Sequence, residues 1–194
     1  MAGGMYVDQP RVLVVDDEKE VADAYALRLE GVAEVTIAYS GEEALEATDP
    51  SDPPDVILLD RHMPDLSGDD VLRELRGHDM HARIVMITAI DPGLGLLELP
   101  FDDYLCKPVE RDDVRAAVDQ QCQVLAYELL GEYFQLESKR SVIAAELPPK
   151  RLTDHEEFAA LDARTDALRE RVRRLLPDAE TLLEAFSGID REGY

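Results

Sequence analysis

Three short aliphatic and β-branched runs, VLVVD at 12–16, VILLD at 56–60 and IVMIT at 84–88, each close on a carboxylate or a hydroxyl. None alternates apolar with polar residues. Each therefore reads as a strand buried on both faces, as happens where helices cover both sides of a parallel sheet. A polar side chain ending such a strand emerges at the sheet's rim, and in open parallel α/β sheets ligands bind outside those carboxyl ends. Asp16, Asp60 and Thr88, with Asp17 and with Lys107 at the close of a further run (DYLC, 103–106), predict one pocket assembled from distant sequence.

Strands and helical periodicities alternate to about residue 126, which is the signature of βαβ units: five strands and five crossovers. Val21, Tyr25 and Leu29 recur at helical spacing before Gly31, and EVTIA at 34–38 supplies the second strand. Ser40 and Glu43 have the spacing of a capping box. Ser67 opens a helix carrying Val71, Leu72 and Leu75, with Gly77 as its stop. After Thr88 the chain is crowded by Pro92, Gly93, Gly95 and Pro100, so any fourth crossover helix is short. Cys106 is expected in the core of the last strand.

From Asp112 a helical pattern runs on without a stop. Val118, Cys122, Leu125 and Leu129 form its stripe, which slips near Gly131, resumes with Tyr133, Leu136, Ile143 and Leu147, and ends at Pro148 and Pro149. Thr153 and Glu156 mark a second capping box, followed by an a/d-spaced stripe of Phe158, Leu161, Thr165, Leu168, Val172 and Leu175. This predicts an antiparallel helical hairpin, with a short intermolecular coiled coil as the alternative. Leu182, Leu183 and Phe186 suggest a last short helix ending at Ser187 and Gly188. The domains expected are thus 10–126 and 127–194.

A net charge of −23 would suit a disordered chain, but 45% of the residues are hydrophobic and the periodicities are clear, so the charge lies on a folded surface. Only four lysines (19, 107, 139 and 150) stand among the 20 basic residues, an acidic, lysine-poor balance that resembles proteins of salt-loving archaea. The two cysteines, Cys106 and Cys122, have neither zinc-site nor disulfide spacing. The amino terminus lacks a signal-peptide core, and no apolar run approaches the ~20 residues needed to span a bilayer. A cytoplasmic protein with no membrane partner is expected.

Three converging carboxylates repel one another unless a cation neutralises them, and oxygen ligands specify a hard ion. Mg2+ is the expected cofactor, bound by Asp17 and Asp60, with Asp16 acting directly or through water. Lys107 and the Thr88 hydroxyl could grip oxygens of a transferring phosphoryl group. No Gly-rich phosphate loop is present, so a nucleotide donor bound here is not expected. A carboxylate can itself be the nucleophile, and Asp60 is the best placed.

The segments VLVVDDE at 12–18, LLDRHMPDLSG at 58–68, MITA at 86–89 and DDYLCKP at 102–108 together resemble the receiver domain of two-component response regulators. That resemblance implies a flavodoxin-like, doubly wound parallel sheet of order 2-1-3-4-5 followed by a helical extension. It also implies Asp60 as phosphoacceptor, Asp16 and Asp17 as the acidic metal pair, and a backbone carbonyl of His62 in the metal sphere. Thr88 would be the switch hydroxyl, Lys107 the phosphoryl contact and Tyr104 the aromatic switch. The implied partner is a histidine kinase. A homodimer could form through the face of the fourth helix, fifth strand and fifth helix, or through the tail helices. The implied protein is no enzyme beyond weak self-phosphorylation and dephosphorylation. The imidazole of His62 is expected to be exposed, with an influence on water attack at the acyl phosphate as the sharper alternative. Residues 127–190, with YFQLESKR at 133–140, resemble the HalX domain.

Two rival readings have distinct signatures. A haloacid-dehalogenase-like phosphatase would need a DxD nucleophile motif, absent at Asp16 and Asp60. A DNA-binding regulator would use Arg164, Arg169, Arg171, Arg173 and Arg174, but Asp162, Asp166 and Glu170 interleave with them and no helix-turn-helix follows. DNA is therefore the less favoured partner.

Overall fold

The computed structural model describes residues 9–78, 80–89, 98–148, 152 and 155–187. The chain divides into two compact units, Gln9–Leu125 and one that includes Ala126–Tyr194. The first holds strands β1 (Arg11–Val15), β2 (Glu34–Ala38), β3 (Val56–Asp60), β4 (Arg83–Thr88) and β5 (Asp103–Cys106), with helices α1 (Lys19–Leu29), α2 (Gly41–Glu46) and α3 (Gly68–Gly77). Helix α4 (Arg111–Glu146) begins in this unit, and α5 (Glu156–Leu175) and α6 (Ala179–Ser187) belong to the second.

The five strands pair in parallel in the order β2-β1-β3-β4-β5. The interior strands are buried almost throughout, as their unbroken apolar runs demand. Side chains alternate across a strand, so Leu13, Val15, Ile57, Leu59, Ile84 and Met86 share one face, where Val71, Leu72 and Leu75 of α3 cover them. On the other side α1 and α4 are tied together: Arg115 donates to the carbonyls of Arg28 (2.6 Å) and Glu30 (3.0 Å).

Local signals act as expected with small changes. Ser40 Oγ accepts the Glu43 N–H at 3.1 Å, but the Glu43 carboxylate returns its bond to the N–H of Tyr39, one residue before the cap. Ser67 caps α3 through the Asp70 N–H. Gly77 is the last residue of α3, not a stop beyond it. Gly31, at φ +78°, takes the left-handed conformation that turns the chain out of α1. Cys106 is exposed, contrary to expectation, because β5 pairs only with β4 and is an edge strand; Cys122 is buried. Residues 90–97, which include Pro92, Gly93 and Gly95 of the expected fourth crossover, lie outside the described residues, as do Pro149, Thr153 and Gly188.

At the amino ends of β4 and β5 a charged network joins three elements to α4. Asp102 accepts from the Arg76 guanidinium of α3, from the Ile84 N–H (2.6 Å) and from Arg83 (3.2 Å). Gln121 of α4 accepts from Arg83 Nε (3.0 Å) and donates to Asp103 (3.1 Å).

Helix α4 runs 36 residues without a break, so the periodicity slip near Gly131 is no interruption of the helix. In the second unit Leu168, Val172 and Leu175 of α5, Leu183 of α6 and Tyr133 of α4 are buried. Ion pairs Arg164–Glu132 (2.6 Å) and Arg140–Asp162 (2.8 Å) join α5 to α4 in an antiparallel sense. Among the described residues no helix is long and apolar enough to cross a membrane.

Asp102 accepts three donors while only 17% exposed, so its removal takes the carboxylate partner from two partly buried guanidinium groups and an acceptor from the Ile84 N–H. Asp102→Ala should lower the unfolding free energy by about 3 kcal/mol. Urea titration in concentrated KCl checks this, and a loss under about 0.5 kcal/mol, the usual size for plain surface changes, would contradict it.

Candidate functional site

Four strand ends build the rim. Asp16 follows the last residue of β1, Asp60 ends β3, Thr88 ends β4 and Lys107 follows β5. Parallel pairing brings Asp60 level with Ile87 and Thr88 level with Cys106, so these ends lie side by side. Asp16, Asp60 and Thr88 are buried. Lys107 is fixed by its N–H, which donates to the Thr88 carbonyl at 2.7 Å.

The Lys107 ammonium bridges two carboxylates, with Nζ 2.8 Å from Asp16 Oδ2 and 2.6 Å from Asp60 Oδ1. The second oxygen of each acid is also held: Asp16 Oδ1 accepts the Glu18 N–H at 3.0 Å and Asp60 Oδ2 the His62 N–H at 2.7 Å. Burial alone would depress the Lys107 pKa, but hydrogen bonds to Asp16 and Asp60 outweigh it and raise the group above the ordinary lysine range. Asp16 moves upward too. Burial is the main cause, aided by Asp60 and only partly offset by Lys107. One ammonium thus leaves this pair of acids with surplus negative charge, before the half-buried Asp17 is counted.

The structure therefore joins Asp16, Asp60 and Lys107 directly. Thr88 reaches them through His62, whose exposed ring places Nδ1 3.3 Å from Thr88 Oγ1. That contact was not legible from sequence, because it depends on how the loop after β3 folds. Within that loop Asp65 takes a positive φ of 64°, and Arg61 forms a double hydrogen bond to Asp69 (3.0 Å each). Arg61 is held above its ordinary pKa mainly by Asp69, with a smaller push from Tyr104. Tyr104 is half-buried and tilts against Phe101 at 5.8 Å.

Gly68 closes the segment LLDRHMPDLSG and is the first residue of α3. A Cβ there would stand 2.2 Å from the Asp60 carbonyl oxygen and 2.9 Å from Arg61 Cα, so only glycine lets α3 start this close behind Asp60.

Among the described residues no group of three or more His, Cys, Asp or Glu side chains is drawn together as a metal cage. The donors present nevertheless suit a hard divalent ion that keeps several waters: carboxylate oxygens with more negative charge than one lysine balances.

A family model for the response regulator receiver domain matches residues 12–119, and one for the HalX domain matches 123–187. The chain belongs to the response regulator receiver family, with a HalX domain following the receiver. A Haloferax volcanii protein with the provisional name of transcriptional regulator is 38% identical over 178 residues, covering 91% of this chain and 30% of that protein. The transcriptional regulatory protein CutR of Streptomyces coelicolor is 42% identical over 113 residues, 56% of this chain and 51% of its own. The chain thus spans about a third to a half of the length of these curated relatives. Among solved structures, the signal receiver domain of a LuxO-type repressor from Vibrio parahaemolyticus is similar with a TM-score of 0.57 and 27% identity, over 62% of this chain and 95% of that one. A receiver domain protein of Methanospirillum hungatei gives 0.51 and 27%, over 59% and 97%. Response regulators of this kind work in two-component systems.

Because Asp16 binds its proton more tightly folded than unfolded, its charged form costs stability, and that cost grows as pH rises through the folded pKa. Asp16→Asn should therefore be more stable than the parent at pH 7 in the absence of divalent ions. The gain should shrink as pH falls toward the ordinary aspartate range, where the parent is protonated as well. Urea midpoints at both pH values decide this; a less stable variant at pH 7 would show that the Lys107 contact outweighs burial.

Proposed function

We propose that Asp60 accepts a phosphoryl group from a histidine kinase in a Mg2+-dependent reaction, and that the helical tail reads out the result. The observation that carries this reading is the buried lysine bridge: Lys107 holds Asp16 and Asp60 at the carboxyl rim with negative charge to spare. The Asp60 carboxylate attacks phosphorus, the new O–P bond forms as the P–N bond to the kinase imidazole breaks, and the leaving imidazole takes up a proton. Both Asp60 oxygens are oriented by their partners, yet each keeps a lone pair for the attack.

Asp16, Asp17, Asp60 and the backbone carbonyl of His62 would hold the ion, which neutralises charge on the phosphoryl oxygens when bound. The His62 N–H on Asp60 holds the backbone of that residue beside the carboxylate. Lys107 supplies a second positive charge to the product. Thr88 exchanges its His62 contact for a phosphoryl oxygen, and Tyr104 turns in response, a population shift within one fold.

Turnover is limited to slow transfer and hydrolysis on the protein itself, so the chain acts as a cytoplasmic switch and not as an enzyme with a free substrate. Two copies could pair when phosphorylated, through the face of β5 and α4 or through the tail helices. Direct DNA binding is less supported, because Arg164 pairs with Glu132, and Arg173 with Glu170 and Glu180. Of the five tail arginines Arg164 is exposed and the other four are half-buried.

Incubation with acetyl phosphate and Mg2+ in concentrated KCl should add one phosphoryl mass to the intact protein, abolished by chelation and by Asp60→Ala. Retention of the added mass in Asp60→Ala would assign the acceptor elsewhere, and none on the parent would end the proposal.

A further inference from the structure

Helix α1 turns Ala22, Tyr25 and Leu29 inward, and all three are buried. Tyr25 alone of these carries a polar atom. It is only 4% exposed, yet its hydroxyl hydrogen-bonds to none of the described residues. A phenylalanine would fill the same space, and a buried tyrosine ordinarily finds a partner for its O–H. An acceptor does lie nearby, already engaged.

Three observations aim the phenol at the rim. Side chains on a helix lean toward its amino end, and α1 begins at Lys19, just after Asp16 and Asp17. The Arg28 guanidinium lies over the Tyr25 ring, 5.2 Å from its centre, and donates to the Val109 carbonyl at 2.5 Å, so the ring stands by the segment that follows β5. Burial pushes the phenol pKa up; Lys107 draws it down, while Asp16 and Asp60 add to the rise. Besides Arg28, the charges acting on it are those of the lysine bridge.

That bridge is what phosphorylation would rearrange. Lys107 Nζ holds Asp16 Oδ2 at 2.8 Å and Asp60 Oδ1 at 2.6 Å. A phosphoryl group on Asp60 brings roughly −1.5 to −2 charges, and the ammonium turns toward its oxygens. Asp16, 1% exposed, then keeps the Glu18 N–H on Oδ1 and loses its partner on Oδ2. A buried carboxylate stripped of a partner is strongly disfavoured. A neutral donor offsets that cost without adding charge, and the lone pairs left on a carboxylate still leave room for a cation.

We infer that Tyr25 is a positioning residue of the phosphorylated form: its hydroxyl donates to Asp16 Oδ2 when Lys107 leaves that oxygen for the phosphoryl group. This role rests on phosphoryl transfer to Asp60, proposed above. One buried acid thus has a different partner in each form, Lys107 at rest and Tyr25 after transfer. The hydroxyl is idle at rest because the ammonium already occupies the oxygen it would take.

Calorimetry of the full chain in concentrated KCl, with fluoroberyllate and Mg2+ standing in for the phosphoryl group, compares the parent with Tyr25→Phe. The variant should bind fluoroberyllate more weakly by about ten-fold or more, the usual worth of one hydrogen bond to a charged group. Mg2+ alone should bind both proteins equally, because Lys107 still holds Asp16. The melting temperature of the variant without these ions should be at or above that of the parent, because the hydroxyl makes no bond there. Equal fluoroberyllate affinity in the two proteins overturns the role. So does a variant whose melting temperature, Mg2+ binding and fluoroberyllate binding all fall together, the mark of lost packing. Mass gain from acetyl phosphate, read on the parent in the same buffer, tells the two failures apart: no gain ends phosphoryl transfer at Asp60, whereas gain with equal fluoroberyllate affinities ends the role of Tyr25 alone.

Discussion

Everything at the rim depends on one ammonium held between two carboxylates. Lys107 follows the edge strand, Asp16 follows a central one and Asp60 ends the strand beside it, so the bridge can form only when the sheet has its full order. A buried ion pair is weak evidence for stability, because desolvation opposes the Coulombic gain. The upward shift of Asp16 makes that concrete, since burial raises its carboxyl even with Lys107 in contact. Selection for stability alone would have removed it. The geometry fits the proposed role: a site kept short of positive charge, which a cation and then a phosphoryl group would complete.

The two ends of the sheet divide the work. At the amino ends Arg11 pairs with Asp52, its N–H donates to Asp55, and Asp102 gathers Arg76, Arg83 and the Ile84 N–H. These networks match charge with charge and lock α3, β4, β5 and α4 in register. The carboxyl ends carry the surplus acids. A receiver must hold a fixed frame while a few side chains at one edge change partners, and a sheet clamped at its opposite end supplies that frame.

Much of this was legible because strand burial writes itself into sequence. β3 and β5 lie where their runs predicted, β4 begins one residue earlier, and the polar strand ends converge as expected. The misreadings also have physical causes. Cys106 looked like core because free cysteines are usually buried and it ends a strand, but an edge strand cannot cover all its side chains. Gly131, where the apolar stripe slips, was expected inside one continuous helix and lies in one, because a single glycine costs about 1 kcal/mol and cannot break a helix of 36 residues. The contacts of His62 with Thr88 and of Arg61 with Asp69 were invisible for another reason. They depend on a loop with a positive φ at Asp65, and loop conformation has no periodicity to read. The tail arginines suggested nucleic acid because their acidic partners Glu132 and Glu180 lie on other helices.

Anchors at the amino end of α4 constrain any movement passed on from the rim. Lys107 stands four residues before the start of α4, so any movement of its ammonium toward a new phosphoryl oxygen acts near that helix's amino end. That end is not free. Arg28 donates to the Val109 carbonyl at 2.5 Å, and Arg115 binds two carbonyls at the end of α1. A signal through α4 must therefore either break these bonds or leave them and act through Thr88 and Tyr104 on the strand before it. The hydrogen bonds involve charged donors, each worth roughly 1.5–3 kcal/mol, which exceeds what a small displacement of one lysine supplies. A response that begins at Thr88 leaves them intact, and there the hydroxyl meets His62 over a long 3.3 Å contact.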